Sequence, residues 1–329
     1  MSDLDAFYAL ALQTGGGLTN LPTDRGALEK RLQKSSESYA DEKEELSNKM
    51  YLLMLEDISS GRVIGTANIF SQLGSEWPFY SFRMTRLRHA SVQLQKTLTS
   101  DVLHLVNDFD GATEVGGLFV DPEVRKGGAG RLLARARYLF IAQMRSRFAN
   151  HVVAELRGFQ DAQGRWPFWE AVGQHFFDMP FEEADKYNSL QGNQFIADLM
   201  PKYPIYVSLL PPDAQAVIGV PNRDGEAAFH MLKKEGFRND GYIDIFDAGP
   251  TVHCETDALV AIKDSQISVV KSTNNKDAEN IRMISAGKSS TFLASAGPAV
   301  LQAGGLALAP TLAKTLGVVS GDEVRHVSF

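Results

Sequence analysis

Arg125-Lys126-Gly127-Gly128-Ala129-Gly130 stands between an apolar run and a helical pattern, and its chemistry is that of an anion receptor. Gly116 to Val120 reads as a buried strand, ended by the turn at Asp121-Pro122. Leu132, Leu133, Ala136, Leu139, Phe140 and Met144 fall on one side of the helix that follows. Backbone N–H groups where a helix begins have no intrahelical partner, and its dipole favours negative charge there. Glycine lets a ligand approach the main chain. The turn is therefore built for phosphate. A P-loop would need a closing Gly-Lys-Ser/Thr; the one such tripeptide, Gly287-Lys288-Ser289, has Arg282 where the opening glycine belongs. A dinucleotide fingerprint needs G-x-G-x-x-G after the first strand. Here the spacing is R-x-x-G-x-G, and other strand-like segments come before it.

The elements that must hold this turn can be read on either side of it. Leu4 to Gln13 reads as a helix, Thr14 to Pro22 as a glycine-rich loop, and Thr23 as the cap of a second helix reaching about Ser36. Met50 to Glu56 and Val63 to Phe70 read as strands joined at Ser59-Ser60-Gly61. Phe79 to Leu87, Val102 to Asn107 and His151 to Leu156 add further strands. This order predicts an α+β fold with a mixed central sheet and flanking helices. Helices then follow near 167–175, 181–187, 193–200 and 211–218, as an insertion over about 159–225. A helix from Glu226 to Glu235, closed by Gly236, leads to a strand at Tyr242 to Phe246. From residue 251 to 329 the texture changes to alanine, glycine, serine and valine, which predicts a small β-rich C-terminal domain distinct from residues 1–250. Its expected strands are Leu259 to Ile262, Ile267 to Val270, Arg282 to Ser285 and Val324 to Val327, with a helix at Pro310 to Leu316.

Composition removes several function classes. The 329 residues are 44% hydrophobic, enough for a large core. The net charge of −7 and the lack of a basic stripe argue against nucleic acid as partner. No apolar run is long enough for a membrane span, and the first residues lack the pattern of a secretory signal. The single cysteine, Cys254, excludes an internal disulfide and fits the cytoplasm. His253-Cys254 has no second ligand pair, so no metal is expected.

The R-x-x-G-x-G spacing after Leu118-Phe119-Val120-Asp121-Pro122 resembles the acyl-CoA pyrophosphate loop of GNAT-type N-acyltransferases. Further segments, in order over roughly residues 10 to 250, make the resemblance narrower. They include Thr14 to Pro22, His89-Ala90-Ser91, Val153-Ala154-Glu155-Leu156-Arg157-Gly158, Pro167-Phe168-Trp169, Phe195 to Lys202, Lys234-Glu235-Gly236-Phe237 and Tyr242 to Asp247. Together they resemble the arginine N-succinyltransferase family. The resemblance implies a GNAT-like domain and transfer of succinyl from succinyl-CoA, as co-substrate, to the α-amino group of L-arginine or ornithine. Two features depart from the pattern. The strand that normally opens a GNAT fold is missing or supplied otherwise, and the position of the family's proton-transfer histidine is Asn222. Asparagine does not titrate near neutrality. A GNAT-type acetyltransferase for another amine, or a non-catalytic CoA-binding partner subunit, therefore remains an alternative, and homo- or hetero-oligomeric assembly stays open.

Acyl transfer from a thioester needs a held donor, a neutral amine and a stabilised oxyanion. Main-chain groups of Arg125, Lys126, Gly127, Gly128, Ala129 and Gly130 are the candidates for the CoA pyrophosphate. The resemblance places the pantetheine arm along the backbone of Leu118 and Val120, whose side chains read as core. Glu114 and His89 are candidate bases, beside the Asn222 position. Glu155, Asp244 and Asp247 are candidates for the substrate guanidinium. Arg83, Arg86 and Arg88 are cations available to the succinyl carboxylate.

Overall fold

The computed structural model describes residues 3–14, 20–125, 127–191, 194–274 and 280–329, the side chains of 189–191 excepted. Its first layer is a five-stranded mixed sheet. Helices α1 (Leu4–Gln13) and α2 (Arg25–Ala40) precede it, and among the described residues no strand comes before α1. Asp24, one residue beyond the expected Thr23, caps α2 by accepting from the Ala27 amide at 2.7 Å. Strands β1 (Met50–Asp57) and β2 (Arg62–Phe70) form an antiparallel hairpin. The chain then leaves this sheet. β3 (Ser81–Ser91) and β4 (Lys96–Val106) pair with each other along their whole length, and β5 (Thr113–Val120) returns to pair with β2. The expected meander is thus split between two sheets. Strand β4 begins ahead of the expected start because Lys96 to Ser100 pair with Ser91 to Leu87 in a ribbon that neither core covers.

After β5 comes α3 (Ala129–Gln143), then β6 (His151–Glu155), which is parallel to β5. The apolar side of α3 covers Tyr51, Ile69, Val115 and Val152, and this face buries most of the central core. The insertion consists of α4 (Pro167–Ala171), α5 (Gly173–Phe177), α6 (Phe181–Gln191), α7 (Gln194–Leu199), strand β7 (Ile205–Tyr206) and α8 (Pro212–Ala216). Trp166, Phe168, Trp169, Phe177 and Phe181 from these helices pack on Phe82 and Leu103, giving the β3–β4 ribbon a core of its own. Helix α9 (Glu226–Lys234) and strand β8 (Tyr242–Ile243) follow, with β7 and β8 at the two edges of that second sheet.

The boundary expected at residue 250 falls inside the first layer. Strand β9 (Thr251–Glu255) pairs antiparallel with β6 and forms the sheet's last strand. Leu259 to Ile262, expected as a strand, is a tight turn and helix α10 (Val260–Lys263). The Glu235 carboxylate accepts the Ala261 amide at 2.9 Å, satisfying the start of that helix, and Leu259 and Ala261 are buried in the central core. The C-terminal unit is a closed five-stranded barrel. It comprises β10 (Gln266–Ser272), β11 (Ile281–Ala286), β12 (Leu293–Gln302), β13 (Gly305–Leu308) and β14 (Glu323–Ser328), with helix α11 (Pro310–Leu316) against β12. Met283 and Val327 point out of it into the central core. No described helix is long and apolar enough to cross a membrane.

Candidate active site

Strand β5 is irregular where its two glycines lie. Asn68 pairs with Gly116 and Thr66 with Phe119, so one extra residue sits on β5: a β-bulge. Gly117 has φ +56° there. On the other side, β5 pairs with β6 only through Thr113–Val152 and Glu114–Val153. After Glu114 the strands part, and a cleft of about 240 Å³ opens. Glu114, Gly116 and Gly117 line one wall, Glu155, Leu156 and Arg157 another, and Asp185, Asn188, Asp244, Phe246 and Asp247 close it with Asn20 and Phe79.

Four carboxylates expected to matter therefore converge from segments far apart in the chain. Thr251 donates to Glu155 at 3.2 Å. Asp244 accepts the amides of Phe246 and Asp247 at 2.7 and 2.9 Å, and Asp247 accepts that of Gly249 at 2.8 Å. This turn presses on the segment after β6. A Cβ on Gly158 would lie 2.2 Å from the Asp247 carbonyl oxygen, and one on Gly249 2.0 Å from that of Leu156. Glycine is required at both places. Arg157 pairs with Asp185 at 3.0 Å and faces Asp247 at 3.9 Å, with its guanidinium over the rings of Phe181 and Trp166.

Burial dominates the electrostatics of this group. It pushes Glu114 up to about 7, against the opposing effects of the Asn20 amide, Arg31 and Arg137. Burial, then the charge of Asp247, pushes Asp244 up to about 8. Burial and the neighbouring carboxylates raise Glu155 well above the carboxylate range, and burial raises Asp247 against the pull of Arg157. Such a cleft is short of positive charge and suits a cation.

The other expected residues lie elsewhere. His89 is exposed on the β3–β4 ribbon, opposite Leu98, and does not line the cleft. Arg83 pairs with Asp108 and Arg86 with Asp101, at 3.5 and 2.8 Å, and Arg88 is exposed on the same ribbon. Asn222 caps a short 3-10 turn by accepting the Asp224 amide at 3.1 Å. Its own amide donates to the Arg157 carbonyl at 2.7 Å, so it adjoins the cleft through the main chain without lining it. Asn20, Phe79, Arg157, Asp185 and Asn188 line the cleft and were not expected to. Of these, Asn20 and Arg157 lie in segments that carry the family resemblance, and Phe79 and Asp185 in an expected strand and helix.

The glycine turn is ordered by its own signals. Arg125 donates from Nε to the Val120 carbonyl at 3.1 Å, tying the turn to the end of β5. Gly127 and Gly128 have φ +87° and +89°, and Gly128 caps α3. A Cβ on Gly127 or Gly130 would meet nothing within 4 Å, so the main chain is open to a ligand there. Phe329, after β14, puts its ring 3.5 Å from where a Gly128 Cβ would stand, and the Arg131 guanidinium lies 3.9 Å over that ring. Leu118 packs against the central core and Val120 is buried in it, leaving their backbone as the part that can meet a ligand. Lys126 lies outside the described residues.

A family model described as "Arginine N-succinyltransferase beta subunit" matches residues 1–261. "Arginine N-succinyltransferase subunit beta" of Pseudomonas aeruginosa is 40% identical over 327 residues, 99% of this chain and 95% of that protein. "Arginine N-succinyltransferase" of Citrobacter koseri is 42% identical over 265 residues, 80% of this chain and 77% of that one. Among solved structures, arginine/ornithine succinyltransferase subunit AI from P. aeruginosa superposes with a TM-score of 0.90 at 35% identity, covering 99% of this chain and 96% of that one. The class is thus that of the acyltransferases. Within it, the chain belongs to the arginine N-succinyltransferase family.

Proposed function

We propose that the acidic cleft and the glycine turn are two halves of one site, at which the protein transfers succinyl from succinyl-CoA to the α-amino group of L-arginine in arginine catabolism. The observation that carries this reading is the convergence of Glu114, Glu155, Asp244 and Asp247 beside the bulge of β5. Glu155, Asp244 and Asp247 hold the guanidinium. Glu114, titrating near 7, takes the proton that the α-ammonium must lose, since a base is most effective close to the working pH. The amine nitrogen then attacks the thioester carbonyl, and a main-chain N–H at the bulge stabilises the oxyanion. The carbon–sulfur bond breaks, the second proton on the attacking nitrogen passes to the leaving thiolate, and coenzyme A departs as the free thiol. Amides from Gly127 to Gly130 hold its pyrophosphate at the start of α3, as the resemblance of the turn to the GNAT pyrophosphate loop implies. Location in the cytoplasm is consistent with the buried thiol of Cys254. The two P. aeruginosa relatives are named as subunits, which favours assembly with a further chain; light scattering of the purified protein tests this.

Release of free thiol from succinyl-CoA or acetyl-CoA, in the presence of arginine or ornithine, tests the whole reading. Release from succinyl-CoA with arginine is expected; binding of CoA without release points to a non-catalytic subunit. Gly128→Val must adopt φ +89° at a cost of about 1–3 kcal/mol, and its branches press on the Phe329 ring, 3.5 Å from the Cβ position, which shifts the turn. Calorimetry with succinyl-CoA is expected to show affinity at least about tenfold weaker, or about 1.4 kcal/mol; unchanged affinity removes the turn from the site.

The cleft also predicts a pH dependence. As pH falls through about 8 and about 7, Asp244 and Glu114 take up protons, and the cleft loses attraction for a guanidinium that stays charged throughout. KM for arginine therefore rises as pH falls from 8.5 to 6, as initial rates at saturating succinyl-CoA would report. For the ligand-free protein the sign is opposite. Both groups bind protons more tightly folded than unfolded, so their contribution to stability is fullest below the unfolded pKa near 4 and is lost as pH rises through about 7 to 8.

A further inference from the structure

We infer that Asn20 is a positioning residue for the proton-accepting carboxylate, fixing Glu114 over the bulged strand; this rests on the reading of Glu114 as the base. Three observations carry it. The Asn20 side-chain amide donates to Glu114 Oε1 at 3.2 Å, between groups 94 residues apart. Both atoms sit over Gly116, where a Cβ would come within 2.6 Å of Asn20 Nδ2 and 3.0 Å of Glu114 Oε1, so a larger residue would break the pair. Asn20 is held in turn. Its carbonyl accepts from Asn68 Nδ2 at 3.2 Å. That amide lies over the second glycine, where a Cβ on Gly117 would stand 2.6 Å away. Two asparagines thus rest on two consecutive glycines of β5. One ties the connection between α1 and α2 to the sheet, and the other aims the carboxylate.

The chemical consequence is specific. With Oε1 occupied by an amide donor, Oε2 is the oxygen left to accept the amine proton. A donor to the ionised carboxylate also favours its charged, basic form. The charged groups around Glu114 are Arg31 from α2, Arg137 from α3 (which also donates to the Gly116 carbonyl at 3.3 Å) and Glu155 from β6; Asp244 and Asp247 share the cleft. The two arginines act in the same direction as Asn20, and the carboxylates act against it.

The test is the acid limb of kcat against pH, measured by thiol release at saturating succinyl-CoA and arginine so that titration of Asp244 in substrate binding does not enter, on protein whose thermal melting shows it folded. Asn20→Ala is expected to move the limb to higher pH by roughly one unit, the equivalent of one charge-assisted hydrogen bond. Activity then falls about tenfold below the limb and much less on the plateau. Asn20→Asp, the same size, sets a second carboxylate against Glu114 and is expected to move the limb further in the same direction; it carries the test should the alanine variant not fold. A role in packing alone would lower activity equally at every pH, and a limb left in place in both variants overturns the inference. Glu114→Gln separates the two readings. If the limb vanishes there yet is unmoved by the Asn20 variants, only the positioning role fails. If the limb survives Glu114→Gln, the base assignment fails and the inference with it.

Discussion

Glu114→Gln lowers turnover of arginine with succinyl-CoA by about 10²–10⁴-fold, the usual contribution of a positioned base, while affinity for succinyl-CoA stays near that of the native protein. The amide keeps the shape of the side chain, so a loss of this size reports proton transfer and not packing. Glu114 is 8% exposed, and its environment raises it to about 7, so near neutrality a substantial fraction is ionised and able to accept. Single-turnover thiol release separates the chemical step from binding. A variant that retains a third of native turnover would transfer the base's role elsewhere, and Asn222→His would then be the change to examine next.

Gly158→Ala is expected to be strongly destabilising for so small a substitution. The new methyl would stand 2.2 Å from the Asp247 carbonyl oxygen and 2.8 Å from the Gly249 amide. Both are backbone atoms with no rotamer to escape into. Separating the two segments there moves Asp247 away from Arg157, which leaves buried charge poorly matched. Disruption of such contacts costs about 3–5 kcal/mol. Urea unfolding should show a midpoint well below that of the native protein, with activity reduced even where the variant is fully folded. A native-like midpoint would mean that the two segments can part without consequence.

Much of the frame was legible because local signals and tertiary packing agree. The period-3.6 stripe from Leu132 to Met144 does bury against the sheet, and Pro310 to Leu316 forms the expected helix because Pro at its first turn and Gly317 beyond its end act locally. Where long-range pairing decides, the reading failed. Thr251 to Glu255 is apolar enough for either unit, and only pairing with His151 to Glu155 assigns it to the sheet. Leu259 to Ile262 has strand-forming side chains, but the Glu235 carboxylate and burial against α3 make it helical. The exposed half of the β3–β4 ribbon has little alternation to read, as its two faces meet solvent alike.

The cleft shows the same division. Glu114, Glu155, Asp244 and Asp247 could each be singled out as carboxylates on or beside strands, but their convergence depends on the early parting of β5 and β6 and on two close glycines. No spacing reveals that Asp185, on an inserted helix, will meet Arg157. His89 is separated from the cleft for a related reason. Its register on a ribbon that leaves the sheet carries it away from the four carboxylates. Asn20 and Asn68 look ordinary in sequence; the amide contacts that distinguish them cross 94 and 48 residues.

Met283 and Val327 belong to barrel strands yet are completely or almost completely enclosed by the core of the central sheet. Such a unit is not a detachable module. An exchanged barrel would have to bring matching side chains at those two points as well as a ring at Phe329 to rest against Gly128. Variation that looks remote from chemistry, in the last third of the chain, is therefore constrained by the geometry of the turn that opens α3.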